Sequence, residues 1–234
     1  MARIRAFENA AEIASQGGVA AWGLATSGKP ALVRGPLHLS TGQEAVAAGV
    51  CMNLVREDML TSTHRGHGHT LAKGADSTKM MCELFGRATG YNKGKGGSMH
   101  IADFSVGMLG ANGVVAAGMP IATGAAHALK IRKLPYLVAC FFGDGAANRG
   151  PFLESLNWAK VYGLPVLFVC EDNRISATTP TGPMTAGEGV SARAAALGID
   201  SLKIDGNDVE AVDAAARRLI DEVRKGGGPR FLHA

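Results

Sequence analysis

Apolar positions change spacing from one segment of the chain to the next, and each spacing predicts an element. Between residues 4 and 25 they recur at helical intervals, which predicts an opening helix ending near Gly28, Lys29 and Pro30. Further helices are expected over residues 43–54, entered through Ser40, Thr41 and Gly42, and over residues 77–85. Residues 59–63 read as a short strand that runs directly into a loop, His64-Arg65-Gly66-His67-Gly68-His69. Residues 90–100, rich in glycine and lysine, read as another loop.

The clearest pattern lies further along. Residues 136–142 form an unbroken apolar run of strand length, closed by Gly143-Asp144-Gly145. Residues 151–162 place Phe152, Leu156 and Ala159 on one helical face. Residues 165–170 are a second apolar run, closed by Glu171-Asp172-Asn173. Strand, helix and strand of these lengths predict a βαβ unit with parallel strands and a right-handed crossover. Residues 203–205, a helix over 208–224 and residues 230–232 predict another such unit. The expected fold class is α/β: a parallel sheet with helices on both faces, and a ligand site at the carboxyl ends of the strands. No repeat or low-complexity linker divides the 234 residues, so a single domain over 1–234 is expected.

Composition narrows the class. Hydrophobic residues make up 47% and charged residues 19%, as in an ordinary globular interior. A net charge of +4, dispersed along the chain, argues against a nucleic-acid partner. The local group His64, Arg65, Lys93 and Lys95 would instead attract a phosphorylated small molecule. Residues 104–129 carry no Asp, Glu, Lys or Arg, yet Gly107, Gly110, Gly113, Gly118 and Pro120 break the stretch. It therefore reads as a buried loop and helix rather than a membrane span. Cys51, Cys82, Cys140 and Cys170 form no CxxC pair, which fits reduced thiols in a cytoplasmic protein.

The chemistry concentrates at two strand ends. Asp144 follows one strand and Asn173 the next. If the strands are neighbours their ends lie roughly 5 Å apart, so a carboxylate and an amide oxygen face a shared point. Hard oxygen ligands of this kind suit Mg2+, which takes its remaining ligands from phosphate and water. Gly145 would let the backbone approach a phosphate, and a helix starting near residues 148–151 would turn its amide end to the anion. His64, His67 and His69 lack a fourth partner at zinc-like spacing, and the glycine-rich loop does not fit a Walker pattern.

From Gly143-Asp144-Gly145 to Glu171-Asp172-Asn173 the chain resembles the thiamine-diphosphate signature, which begins GDG and ends with two asparagines. Four further motifs occur in order: Gly42-Gln43-Glu44-Ala45; the run from His64 to His69; Gly94-Lys95-Gly96-Gly97-Ser98-Met99-His100; and Gly110-Ala111-Asn112-Gly113. Together they resemble the alpha subunits of pyruvate, branched-chain 2-oxoacid and acetoin dehydrogenases, over nearly the whole chain and most of all the acetoin and pyruvate group. The resemblance implies a thiamine-diphosphate-binding fold. It also implies Mg2+-dependent cleavage of a 2-oxoacid or acetoin, with the acyl unit passed to a lipoyl acyltransferase partner. A truncated subunit that only assembles with a beta chain, and another thiamine-diphosphate reaction of decarboxylase or transketolase type, are the alternatives.

Residue by residue, the resemblance implies that Asp144, the side chain of Asn173 and the backbone carbonyl of Ile175 hold Mg2+. Gly145 and Ala146 would contact the diphosphate through their backbone, Arg65 through its fork of donors, and His64 from a position where many relatives carry tyrosine. Gly113 and Val115 would meet the aminopyrimidine ring, and His67 would assist proton transfer. The resemblance places the cofactor-activating glutamate on a beta subunit, which predicts a heterotetramer with the cofactor at the alpha–beta boundary. The glycine-rich stretches 90–97 and 107–113 are expected to be flexible and to need a partner surface. Three departures stand out. Asp172 replaces the first asparagine of the pair, Ala177 replaces a larger apolar residue that props the cofactor, and the Tyr-Arg and Gly-His motifs expected beyond Ala234 are not in the sequence.

Overall fold

Six parallel strands form the central sheet of the computed structural model, which describes residues 1–16 and 31–234. They are β1 (Met59–Ser62), β2 (Met108–Ala111), β3 (Val138–Gly143), β4 (Val166–Glu171), β7 (Ser201–Lys203) and β8 (Arg230–His233), in the order β2-β1-β3-β4-β8-β7. A two-stranded antiparallel hairpin, β5 (Ile175–Ser176) and β6 (Thr179–Pro180), follows β4. The eight helices among the described residues are α1 (Ala2–Ser15), α2 (Glu44–Cys51), α3 (Gly66–Ala72), α4 (Ser77–Leu84), α5 (Gly118–Ile131), α6 (Gly150–Val161), α7 (Val190–Ala196) and α8 (Val209–Arg224). None of the helices in these residues is long and apolar enough to cross a membrane.

Side chains that alternate along a strand separate two cores. Ala139, Phe141, Leu167, Val169 and Leu232 face one side, where they meet residues of α1, α2, α3, α4 and α8. Val138, Cys140, Phe142, Val166, Phe168, Cys170 and Phe231 face the other, against α5, α6 and α7. Because β3 and β4 bury both faces, they read as unbroken apolar runs rather than as alternating ones. The expected parallel sheet with helices on both faces is the observed architecture.

Several elements differ from the expectation. The opening helix, Ala2–Ser15, ends sooner than expected, with Gln16 in extended backbone, and the rest of the predicted segment, from residue 17, lies outside the described residues. The loop expected at His64–His69 instead becomes helical from Gly66. Its glycines allow close packing: a Cβ on Gly66 would come within 2.6 Å of the Ala111 side chain, and one on Gly68 within 2.9 Å of Ser40 Oγ. Strand β2 is only four residues long and contains Gly110, the β5–β6 hairpin carries no apolar run, and the pattern missed both. One buried ion pair fastens the sheet's lower edge, where Asp58 accepts from the Leu137 amide at 3.0 Å, from the Val55 amide at 2.8 Å and from the Arg224 guanidinium.

Candidate functional site

Parallel strands bring their carboxyl ends to one edge, and the turns beyond β1, β2, β3 and β4 line a cleft of about 560 Å³ there. His64 and Arg65 enter after β1, Gly113 and Val115 after β2, Asp144, Gly145 and Ala146 after β3, and Asn173 and Ile175 after β4. The structure thus gathers the expected binding residues around one cavity. His67 is the exception.

Asp144 opens the turn after β3 and lines the cleft. The register pairs Gly143 with Glu171, so Asp144 and Asp172 follow equivalent positions on adjacent strands. Asp144 is nearly buried and accepts a short hydrogen bond from the Thr181 hydroxyl. Burial pushes its carboxyl above the usual range; Thr181 works the other way, and the neighbouring Asp172 carboxylate pushes it further up. Asp172 moves oppositely. Burial acts against its ionisation, but hydrogen bonds from His233 and from the Arg174 amide outweigh this and hold it below the usual range. A buried carboxyl beside a second carboxylate is a place where a divalent cation offsets mutual repulsion. Asn173 also belongs to this turn, with Oδ1 accepting from the Ile175 amide at 3.1 Å. A carboxylate, an amide oxygen and a backbone carbonyl make a hard oxygen donor set that fits Mg2+.

Gly145 has a sharper reason to be glycine than access for a phosphate. A Cβ there would lie 2.4 Å from Ser176 Oγ and 2.7 Å from Ser176 Cβ. The turn after β3 is therefore pressed under the hairpin. Between Asp144 and α6 runs a 3-10 turn, Asp144–Asn148, so the amides beside the cleft belong to this turn rather than to the start of α6. Asn148 faces away, bonding Thr185 at 3.0 Å and accepting from Arg193 at 2.9 Å.

On the opposite wall, Arg65 donates to the Leu39 carbonyl, and its own carbonyl accepts from Ser40 at 3.1 Å. Among the described lining residues it is the one with a permanent positive charge. Lys93 and Lys95, expected to add to it, do not line the cleft. His64 is pressed edge-on against His38 with ring centres 4.7 Å apart. Burial first, then His38 and Arg65, pushes His64 down to about 4, so it meets an anion as a neutral donor. His38, whose pKa is lowered by burial first and then by Arg65 and His67, was not singled out in the sequence, where it looks like any loop histidine.

His67 is fully buried and absent from the cleft lining. Its Nδ1 lies 3.1 Å from Glu8 on α1, and its Nε2 lies 3.0 Å from the Ser98 hydroxyl. Both nitrogens are thus engaged, and the expected part in proton transfer is replaced by a structural link from α1 to the neighbour of Met99, a cleft residue. His69 makes a similar link between Ser62 at 2.8 Å and Glu171 at 3.1 Å.

Sequence reading also overlooked Glu83. Its buried carboxylate accepts four amides of the glycine loop: Asn92 at 2.7 Å, Gly94 at 2.9 Å, Gly96 at 2.7 Å and Gly97 at 3.2 Å. The loop is fastened from within, and 107–113 contains a strand of the sheet. Both stretches, expected to need a partner surface, therefore have contacts within the chain. Exposed apolar groups occur instead at the mouth of the cleft, on Val114, Val115 and Ile175.

A parallel α/β sheet with a cleft at its strand ends, lined by Asp144, Asn173 and Arg65, defines the class. The fold is shared with a transketolase from Campylobacter jejuni, with a TM-score of 0.61 over 83% of this chain and 36% of that one, at 20% identity. The family described as Dehydrogenase E1 component matches residues 26–234, and the chain belongs to it. The chain is 50% identical over 198 residues to the alpha subunit of acetoin:2,6-dichlorophenolindophenol oxidoreductase from Bacillus subtilis, covering 85% of this chain and 60% of that protein. It is 40% identical over 207 residues to the pyruvate dehydrogenase E1 component subunit alpha of Porphyra purpurea, covering 86% and 60%. The chain thus spans about 60% of the length of these relatives.

Proposed function

We propose that the cleft binds thiamine diphosphate with Mg2+, and that the chain is the alpha side of an E1 dehydrogenase acting on acetoin or a 2-oxoacid. The observation that carries this reading is the raised, buried Asp144 carboxyl beside the Asn173 turn, in one cavity of cofactor size with Arg65. Bound there, thiamine diphosphate supplies an electron sink for breaking the bond next to a carbonyl.

This chain's own residues hold and shield. Asp144, Asn173 and the carbonyl of Ile175 grip the cation. The amides of Gly145 and Ala146 and the fork of Arg65 take the diphosphate oxygens. Neutral His64 donates one hydrogen bond without adding charge. Gly113 and Val115 offer backbone groups to the aminopyrimidine, while Met99 and Phe141 supply apolar wall. His67 serves the site indirectly, by holding Ser98 and hence Met99.

No carboxylate of α2 is available for the ring. Glu44 is committed to the Gly42 amide at 3.0 Å and to Arg5. A beta subunit is therefore the proposed source of the activating acid, docked on the exposed apolar mouth, and a lipoyl acyltransferase is the proposed acceptor. Residues 1–234 act in this reading as one thiamine-diphosphate-binding domain. The names of the relatives favour acetoin over pyruvate as substrate.

The test mixes the chain with a cognate beta subunit and follows dye reduction with acetoin, pyruvate and a branched 2-oxoacid, with and without cofactor and Mg2+. Turnover should need both chains and both cofactors. Asp144→Ala should abolish Mg2+-dependent thiamine diphosphate binding in calorimetry without unfolding the chain. Unchanged affinity in that variant sinks the site assignment.

A further inference from the structure

The first residue after β4 is a carboxylate where the resembling pattern has an amide, and the structure shows what receives it. Asp172 Oδ2 lies 2.9 Å from His233 Nε2, and Oδ1 accepts from the Arg174 amide at 3.0 Å. Behind the imidazole, His233 Nδ1 lies 2.8 Å from Ser191 Oγ, and the Ser201 hydroxyl donates to Ser191 at 3.0 Å. A carboxylate can only accept, so His233 donates through Nε2. Its Nδ1 then accepts from Ser191, which accepts in turn from Ser201. Every donor in this chain points towards Asp172. Aligned chains of this kind strengthen one another where water is scarce, and His233 is only 6% exposed.

The four residues come from different places: β7 carries Ser201, α7 Ser191, β8 His233, and the turn after β4 Asp172. The same turn is pinned by its backbone, since the Asp172 amide donates to the Ala234 carbonyl at 2.8 Å. At its far end the Thr181 amide donates to the Arg174 carbonyl at 3.0 Å, while its hydroxyl donates to Asp144. Within the turn Arg174 and Ala177 adopt left-handed backbone, at φ 63° and 54°, which surrounding contacts must hold in place. Both oxygens of Asp172 thus accept hydrogen bonds, one from the His233 ring and one from the Arg174 amide.

We propose that Asp172 and His233, backed by Ser191 and Ser201, form a clamp that positions Asn173 and the Ile175 carbonyl beside Asp144. Asp172 is then a positioning residue and not a ligand. His233 supplies the donor that the exchange of amide for carboxylate demands. The clamp rests on the cation-site reading above, although the hydrogen-bonded chain itself does not.

Two measurements on the purified chain test it. One is amide hydrogen exchange across residues 172–181; the other is the Mg2+ concentration giving half-maximal thiamine diphosphate binding. His233→Ala should speed exchange in 172–181 while β3 and α6 keep their protection. It should raise the Mg2+ requirement about tenfold, as loss of a hydrogen bond to a charged group allows. In the double variant D172N/H233E the polarity is reversed, with an amide donating to a carboxylate, and both readouts should return towards wild type. Ser191→Ala cuts only the rear of the chain and should shift both partway; it replaces His233→Ala if that variant does not fold. Unchanged exchange and an unchanged Mg2+ requirement in the single variants overturn the clamp, as does a double variant no better than His233→Ala. A wild-type chain that binds no thiamine diphosphate at any Mg2+ concentration, alone or mixed with its cognate beta subunit, overturns the cofactor reading alone, and the exchange experiment then decides the clamp.

Discussion

Replacing Glu83 with glutamine tests how the glycine loop is held. The substitution keeps volume and nearly keeps shape, but one acceptor oxygen becomes an NH2 group. Whichever way the amide turns, two of the four loop amides then face a donor: either Asn92 and Gly94, or Gly96 and Gly97. Each orphaned donor costs about 1–3 kcal/mol when buried. These loop residues are half-buried, so water recovers part of that, and a total near 2–4 kcal/mol follows. For a chain of this length the melting temperature should fall by about 5–15 °C. The loss should reach the cleft as well, because the loop continues into Ser98 and Met99. Urea unfolding of wild type and variant measures the first effect, and cofactor titration the second. A variant within about 0.5 kcal/mol of wild type would show that the four contacts contribute nothing net, and the account of the loop would have to be abandoned.

Three further outcomes are expected. Arg65→Lys should weaken thiamine diphosphate binding about tenfold despite conserving charge, because an ammonium cannot make the forked contact; equal affinities by calorimetry would place Arg65 outside the diphosphate site. Gly145→Ala should lower both stability and cofactor affinity, since its methyl group would sit 2.4 Å from Ser176 Oγ; the companion change Ser176→Gly should recover much of the loss in thermal unfolding, and no recovery would refute the steric explanation. His64 has an ordinary value of 6.5 and is lowered to about 4 in the fold, so the unfolded chain binds its proton first. Stability should therefore drop as pH falls from about 6.5 towards 4, and His64→Gln should flatten that part of the urea-unfolding profile; parallel profiles for the two proteins would count against a buried neutral imidazole.

What the sequence made legible follows from physics acting locally. Strands β3 and β4 bury both faces, so their apolar runs are unmistakable, and the residues that end them mark the cleft. Gly113, and the diphosphate role of Arg65 beyond its place in a local basic group, came from motif resemblance rather than from pattern, since a single arginine or glycine carries no periodic signal. The elements that escaped depend on distant partners. Strand β2, Met108–Ala111, is only four residues long and contains a glycine, too short a segment for local pattern to mark, and its strand character comes from pairing with β1. The Glu83 carboxylate looks like a surface charge of an amphipathic helix until the loop folds over it. His67 sits two residues from Arg65 in a conspicuous motif, yet a helix turn carries it away from the cavity and into contact with Glu8. The partner of Asp172 is 61 residues away in sequence, beyond any local reading.

The order of strands in the sheet also bears on synthesis. β1 occupies an interior position, and its neighbour β3 ends at Gly143, roughly 80 residues after β1 begins; at ~5–20 residues per second, several seconds separate their translation. β4 waits similarly for β8, with α7, β7 and α8 still to emerge. Through those intervals the apolar strands have unpaired edges, in a sheet whose pairings are all distant in sequence. Such a nascent chain is a natural client for a holding chaperone at the ribosome exit. Slowing its translation should lengthen the exposure and raise the insoluble fraction, while co-expression with such a chaperone should lower it.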